Sequence, residues 1–355
     1  MASTEMAEVL AAALRRFAAE GRDAALLGGM QESLAQAARQ LAAPASSASL
    51  FLEFPLAGPA HVDMGLGFSD EALYLGDEAT EQWPELAESI AWAASVGRLE
   101  DLVVAFAGDD LAQGTRAEGL YFKHRGNMAA ARDFLRQSGA ADLADGYATA
   151  VHRLSGGWLP LYAGNYHGRN HEAGQGHTKR VVRLEATLEP AVCDALTHDA
   201  EGLNAELARL GFPDAGDATT GLSVACAPLL ALGLPATVQL DVHEDGSLAG
   251  TFGLTLFFTG THNTRMALFC PGGAADEALR HLEALGLADG RWRDALRGSF
   301  TLPIPLASKD GVAHVAGVVC RPDCIKLKWA HGRLAPARFY QVVRVAPLEM
   351  AASTS

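Results

Sequence analysis

The sequence predicts an α+β protein in which helices cover one large antiparallel sheet, and three observations carry that prediction. Connections between successive strand-like segments are mostly hairpin-sized, Glu244-Asp245-Gly246 among them, and short links favour antiparallel pairing. Helical segments fall between strand pairs and not between every two strands, unlike a doubly wound sheet. No GxGxxG or GxxxxGK(S/T) occurs, so the usual dinucleotide and P-loop fingerprints are missing.

Taken in order, residues 5–43 read as two Ala-rich helices split by Gly28-Gly29, with Leu10, Leu14 and Phe17 at helical spacing. They form an expected N-terminal helical cap over residues 1–48. Strands follow at Leu50–Phe54 and His61–Phe68, joined through Ala57-Gly58-Pro59, and then a helix from about Glu78 to Ser95 with Trp83, Leu86 and Ile90 on its apolar stripe. Leu102–Phe106 and Leu120–Phe122 form the next strand pair, before a helical stretch over 128–154. Trp158–Tyr162 and Lys179–Leu188 make another, followed by a helix over 189–210. The chain then turns strand-dense, with expected strands at Leu222–Ala225, Thr237–Val242, Thr251–Phe258 and Arg265–Phe269. Helices at 274–285 and 290–297 precede the closing strands Val312–Val319, Ile325–Trp329 and Arg338–Val345. One α+β domain over 49–346 and a flexible tail over 347–355 complete the expected organisation. A sheet of about ten strands can close on itself and remove its edges, but an open sheet with helices on one face gives the same pattern.

The chain has 355 residues and a formal net charge of -14, with no long Lys/Arg run. Duplex nucleic acid is therefore not the expected partner, because that binding depends on phosphate neutralisation. Met1–Glu5 lacks the basic flank and apolar run of a secretory signal, and no stretch is long enough to span a bilayer. Five cysteines, an odd set, favour free thiols in a reducing cytoplasm over a disulfide framework. The expectation is a cytoplasmic protein with no membrane partner.

Against this acidic background the closing strands stand out. Strand periodicity puts Lys326 and Lys328 on one face, and likewise Arg338, Tyr340 and Arg344. Ammonium and guanidinium groups suit phosphate oxygens, so this face is a candidate anion site, though a solvated sheet face carries the same residues. Lys179, Arg180 and Arg183 repeat the pattern after a glycine- and histidine-rich loop over 164–177, where bare backbone N–H groups could approach phosphate. Glu53 sits among apolar neighbours in Leu50-Phe51-Leu52-Glu53-Phe54; burial raises a carboxyl, and a raised carboxyl serves as general base near neutral pH. The alternative for Glu53 is an edge-strand carboxylate facing water. His167, His171 and His177 are candidate metal ligands at a spacing that matches no strong signature, and Cys320-x-x-x-Cys324 lacks a second pair. Trp158, Tyr162, Tyr166, Trp329 and Tyr340 lie on or beside the cationic strands, where aromatic faces can cover an allyl chain or a carbocation, or simply be core.

The early-strand glutamate in Ser49-Leu50-Phe51-Leu52-Glu53, the Lys179-to-Arg183 strand, Leu256-Phe257-Phe258-Thr259-Gly260 and the Lys326-x-Lys328 strand together resemble the ABBA-type prenyltransferases, particularly the cyanobactin peptide prenyltransferases. The resemblance spreads over residues 49–345. It implies a single barrel of about ten antiparallel strands surrounded by α-helices, built from αββα repeats over 49–346 and holding an isoprenoid diphosphate and an aromatic or peptide acceptor. It further implies that Lys179, Arg183, Lys326, Lys328 and Arg338 hold the diphosphate, that Trp158, Tyr162, Trp329 and Tyr340 shield the allyl group, and that Glu53 takes the acceptor's proton. No cofactor is firmly implied, and the resemblance leaves open whether Mg²⁺ accompanies the diphosphate. Two other readings stand beside it: a non-catalytic peptide-binding accessory protein of a peptide-modification pathway, with Glu53 and the cations dispersed, and a His-dependent metalloenzyme centred on His167, His171 and His177.

Overall fold

The structure, a computed structural model, describes residues 48–58, 63–68, 101–106, 119–125, 161–167, 181–187, 215–242, 248–260, 262–293, 300–306, 314–330 and 332–347, with residues 201, 204, 205, 208 and 212 besides. The chain forms β1 (Ala48–Pro55), β2 (Asp63–Phe68), β3 (Asp101–Phe106), β4 (Gly119–Arg125), β5 (Leu161–His167) and β6 (Val181–Thr187). Helix α1 (Ala215–Leu230) leads into β7 (Ala236–Val242) and β8 (Leu248–Phe257), and helices α2 (His262–Leu268) and α3 (Ala274–Ala284) follow. The closing strands are β9 (Phe300–Leu306), β10 (His314–Ala330), β11 (Arg333–Leu334) and β12 (Arg338–Pro347).

All pairings are antiparallel, in the order β11-β10-β12-β1-β2-β3-β4-β5-β6-β7-β8, with β9 and β8 end to end along the other side of β10. Where side chains are described, the sheet is an open array of six strands, β1, β12, β10, β8 and β7 side by side with β11 at the end of β10. This corrects the expected architecture, a closed barrel of about ten strands ringed by α-helices in αββα repeats. The described residues hold twelve strands and the helices α1, α2 and α3, with further helical residues at 201, 204, 205 and 208 and at 291–293, inside the expected helices over 189–210 and 290–297. The expected helices over 5–43, 78–95 and 128–154, the tail beyond Pro347, and most of 189–210 lie outside the described residues.

Two expected strands are helical. Leu222–Ala225 belongs to α1, whose Ala218, Leu222, Ala225, Cys226 and Leu229 are buried at helical spacing. Arg265–Leu268 belongs to α2; a short apolar run is ambiguous by periodicity, and Arg, Met, Ala and Leu are strong helix formers. The expected strands Val312–Val319, from His314 on, and Ile325–Trp329 are parts of one 17-residue strand with a bulge between Pro322 and Cys324. β9 has no counterpart in the sequence reading because Pro303 and Pro305 argue against a strand; both are tolerated on an edge that pairs with β10 alone among the described strands.

The core lies between one sheet face and the helices. Leu52, Phe54, Ala236, Val238, Leu240, Phe252, Leu254, Leu256, Ile325, Leu327, Trp329 and Phe339 alternate along their strands and are buried. Facing them, Leu222 and Leu229 come from α1 and Ala275, Ala278, Leu279 and Leu282 from α3. Gly221 lets α1 close on the sheet: a Cβ there would sit 3.2 Å from Trp329 Cζ3 and 3.3 Å from Leu334 Cδ1. Pro228 lacks the N–H that would bond the Val224 carbonyl four residues back, and His281 Nε2 of α3 donates to that oxygen instead at 2.8 Å. Among the described residues no helix is long and apolar enough to cross a membrane.

Candidate functional site

The face of the sheet away from the helices is polar, and cross-strand register assembles it row by row. Residues opposite one another in antiparallel strands share a face. One row runs Pro55, Arg338, Lys326, Thr255, Thr237 across β1, β12, β10, β8 and β7. The next, toward the β1 interior, is Glu53, Tyr340, Cys324, Phe257, and on the other side lies Lys328, Gly253, Gln239. Arg338, Lys326, Lys328, Tyr340, Glu53 and Gln239 are neither fully buried nor fully exposed.

Two polar links organise these rows. Arg338 Nη1 donates to Glu53 Oε1 in an ion pair, with side-chain exposures of 35% and 22%. Lys326 Nζ donates to Gln239 Oε1 at 2.5 Å, lying across β8 where Gly253 leaves room. A Cβ on Gly253 would fall 3.1 Å from Lys326 Cε and 3.5 Å from Gln239 Cβ. Burial raises the Glu53 carboxyl, but the charges of Arg338 and Lys326 and the hydrogen bonds from Tyr340 and Arg338 outweigh it, and the carboxyl ends below its ordinary value. The sequence reading expected burial to win and raise it; the shift runs the other way because the cations lie on the same face. Tyr340 is pushed well above its ordinary value by burial and then by the neighbouring Glu53 charge, so its hydroxyl stays protonated and donates.

The rest of the fold holds this geometry in place. Leu56 N–H donates to Ala337 O at 2.7 Å, Ala337 N–H to Leu287 O at 2.8 Å, and Asp289 N–H to Leu56 O at 2.7 Å, tying the ends of β1 and β12 to the loop after α3. Arg291 adds donors to Pro55 O at 3.2 Å and Gly58 O at 2.6 Å. At the bulge, Arg265 Nη1 donates to Pro322 O at 2.7 Å and Phe258 N–H to Asp323 O at 2.8 Å.

Of the residues singled out from sequence, Glu53, Lys326, Lys328, Arg338 and Tyr340 lie on this one face. Trp329 does not: it is 6% exposed on the helix side, beside Gly221, as part of the core. Arg183 lies in β6 with Asn165 and Asp241 as register partners, and Tyr162 lies in β5. Lys179, Trp158, His171 and His177 lie outside the described residues, and His167 is the last residue of β5, in register with Tyr121 and Val181. Among the described residues no group of three or more His, Cys, Asp or Glu is placed to hold a metal ion. The bulge places Cys320 and Cys324 on opposite faces; Cys320 is in the core, where burial pushes its thiol up, and Cys324 is beside Tyr340.

Gln239, Gly253, Thr237 and Thr255 belong to the same face and were missed. Their signal was present as strict alternation, Thr237 and Gln239 between Ala236, Val238 and Leu240, and Gly253 and Thr255 between Phe252, Leu254 and Leu256. No protein-family model matches the chain, and no curated protein matches it at a significant level.

Proposed function

We propose that the chain is a prenyltransferase that moves an allylic group from an isoprenoid diphosphate to an aromatic or peptide acceptor. The observation that carries this reading is the convergence of Arg338, Lys326, Lys328 and Glu53 on one half-buried sheet face. A dispersed arrangement would favour the peptide-binding accessory reading instead.

In the proposed reaction the C1–O bond of the allylic diphosphate breaks as charge builds on the leaving phosphate oxygens. Lys326 and Arg338 stabilise that charge, as preorganised cations do best in a site of low water content. The acceptor's nucleophilic atom forms the new bond to C1, and its proton passes to Glu53 and on to solvent. Before the diphosphate arrives, Arg338 and Lys326 hold Glu53 ionised but weakly basic. Once phosphate oxygens share those cations, the carboxylate becomes a better proton acceptor, which times its basicity to the loaded site. Tyr340, protonated, hydrogen-bonds Glu53 and lies beside it as a candidate wall for the allyl group. The enzyme is proposed to work in the cytoplasm, on the strength of its thiols, of which Cys226, Cys270, Cys320 and Cys324 form no disulfide.

The test is a thermal-shift screen with dimethylallyl and geranyl diphosphates beside inorganic pyrophosphate, run with Mg²⁺ and with EDTA. Stabilisation by the allylic diphosphates is expected, and the two conditions read whether a divalent ion accompanies them. Absence of stabilisation by every one of them would sink the reading.

A further inference from the structure

Thr237 and Thr255 sit directly opposite each other in the β7–β8 ladder, and Thr255 is in turn opposite Lys326. Both are nearly inaccessible, at 6% and 5% exposure, and the hydroxyl of each is buried with no hydrogen-bond partner among the described residues. A buried hydroxyl without a partner is uncommon, because it forfeits hydration for nothing in return. Two of them in register, next to a lysine, are harder to ascribe to accident. Strands lie about 4.8 Å apart, so two hydroxyls from opposed residues can reach one tetrahedral oxyanion.

The lysine is held toward this pair. Lys326 lies across β8 over Gly253, and its ammonium reaches Gln239 on β7, the residue two positions along from Thr237 on the same face. Gln239 accepts that bond through an uncharged oxygen, and the ammonium's charge also bears on Glu53. An incoming anion therefore meets a cation and two hydroxyl donors over the same pair of strands.

We propose that Thr237 and Thr255 are the neutral donors of an oxyanion subsite completed by Lys326, and that they bind non-bridging phosphate oxygens of the diphosphate. This rests on the anion reading given under the proposed function and adds residues to it. The hydroxyls lack partners because their partner is the ligand. Threonine is well suited to such a position, since its methyl group packs in the strand while its hydroxyl rotates to the acceptor.

The experiment is calorimetric titration of the full chain with inorganic pyrophosphate, using wild type, Thr237→Val, Thr255→Val, the serine substitution at each position, and Lys326→Met. Each valine variant is expected to bind pyrophosphate roughly two- to tenfold more weakly, the span of a single net hydrogen bond, and each serine variant to recover it. Ligand-free valine variants should melt at or above the wild-type temperature, since valine keeps the shape and removes an unsatisfied group. Valine variants that bind like wild type while Lys326→Met weakens binding would overturn the threonine assignment and leave the anion site standing. A lowered melting temperature in the ligand-free valine variants would overturn it too, by showing that the hydroxyls have structural partners. No binding by wild type would overturn the anion site itself and the subsite with it.

Discussion

Arg338 and Glu53 are diagonal neighbours on adjacent strands: Glu53 faces Tyr340, Arg338 faces Pro55, and the guanidinium reaches back to pair with the carboxylate. The pair joins the proposed anion holder to the proposed proton acceptor. Removing one charge therefore changes the other residue's chemistry, and the two effects can be separated.

Glu53→Gln is expected to lower acceptor alkylation by roughly 10²- to 10⁴-fold, the range of a positioned general base. It should bind dimethylallyl diphosphate at least as tightly as wild type, because a competing negative charge is gone from beside Arg338 and Lys326. Single-turnover product formation and direct titration read the two separately. Unchanged turnover would remove Glu53 from the mechanism.

Acid should weaken the fold in a way that depends on Arg338. The Glu53 carboxyl is depressed in the folded chain, so its contribution to stability is present above the ordinary carboxylate range and is lost as pH falls through the lowered value. Arg338→Met removes the main opposing charge, so the carboxyl should rise and that contribution should vanish at a higher pH. Urea midpoints measured between about pH 3 and pH 7 for both chains test this. Parallel pH profiles would contradict it.

Gly253→Ala should disturb the anion site with little effect on folding. The new methyl group meets Lys326 Cε at 3.1 Å, and a flexible lysine gives way more readily than a packed core. Weaker pyrophosphate binding at a nearly unchanged melting temperature is the expected result, read by titration and thermal melting.

The helix layer provides a prediction independent of the site. His281→Ala should destabilise the fold by about 1 kcal/mol through loss of the bond to the Val224 carbonyl. In a Pro228→Ala background the same change should matter less, since the substituted residue would supply the missing N–H. Chemical denaturation of the two single variants and the double variant measures the coupling.

How much of this was legible in the sequence differs by residue. Strand periodicity paired Lys326 with Lys328 and Arg338 with Tyr340 correctly by face, because alternation is a property of the pleat itself. It could not say that both pairs and Glu53 share one face, since that depends on register set by long-range pairing. Trp329 follows from the same rule: one residue from Lys328, it must point to the opposite face, where the helices lie. The direction of the Glu53 shift was illegible for the same reason, since its cations come from β10 and β12, at the far end of the chain. Gln239 and the two threonines were hidden because threonine is also an ordinary strand former. The helical identity of 222–225 and 265–268 escaped because short apolar runs fit either period.

The central claim is that Lys326 and Arg338 act together as the anion-holding part of one site. Calorimetric titration of dimethylallyl diphosphate into wild type and into the Lys326→Met/Arg338→Met double variant tests it most directly. Two lost charge-assisted contacts, at about 1.5–3 kcal/mol each, predict a loss of affinity exceeding roughly 100-fold. Equal affinity in the two chains, or no binding by wild type, would contradict the account.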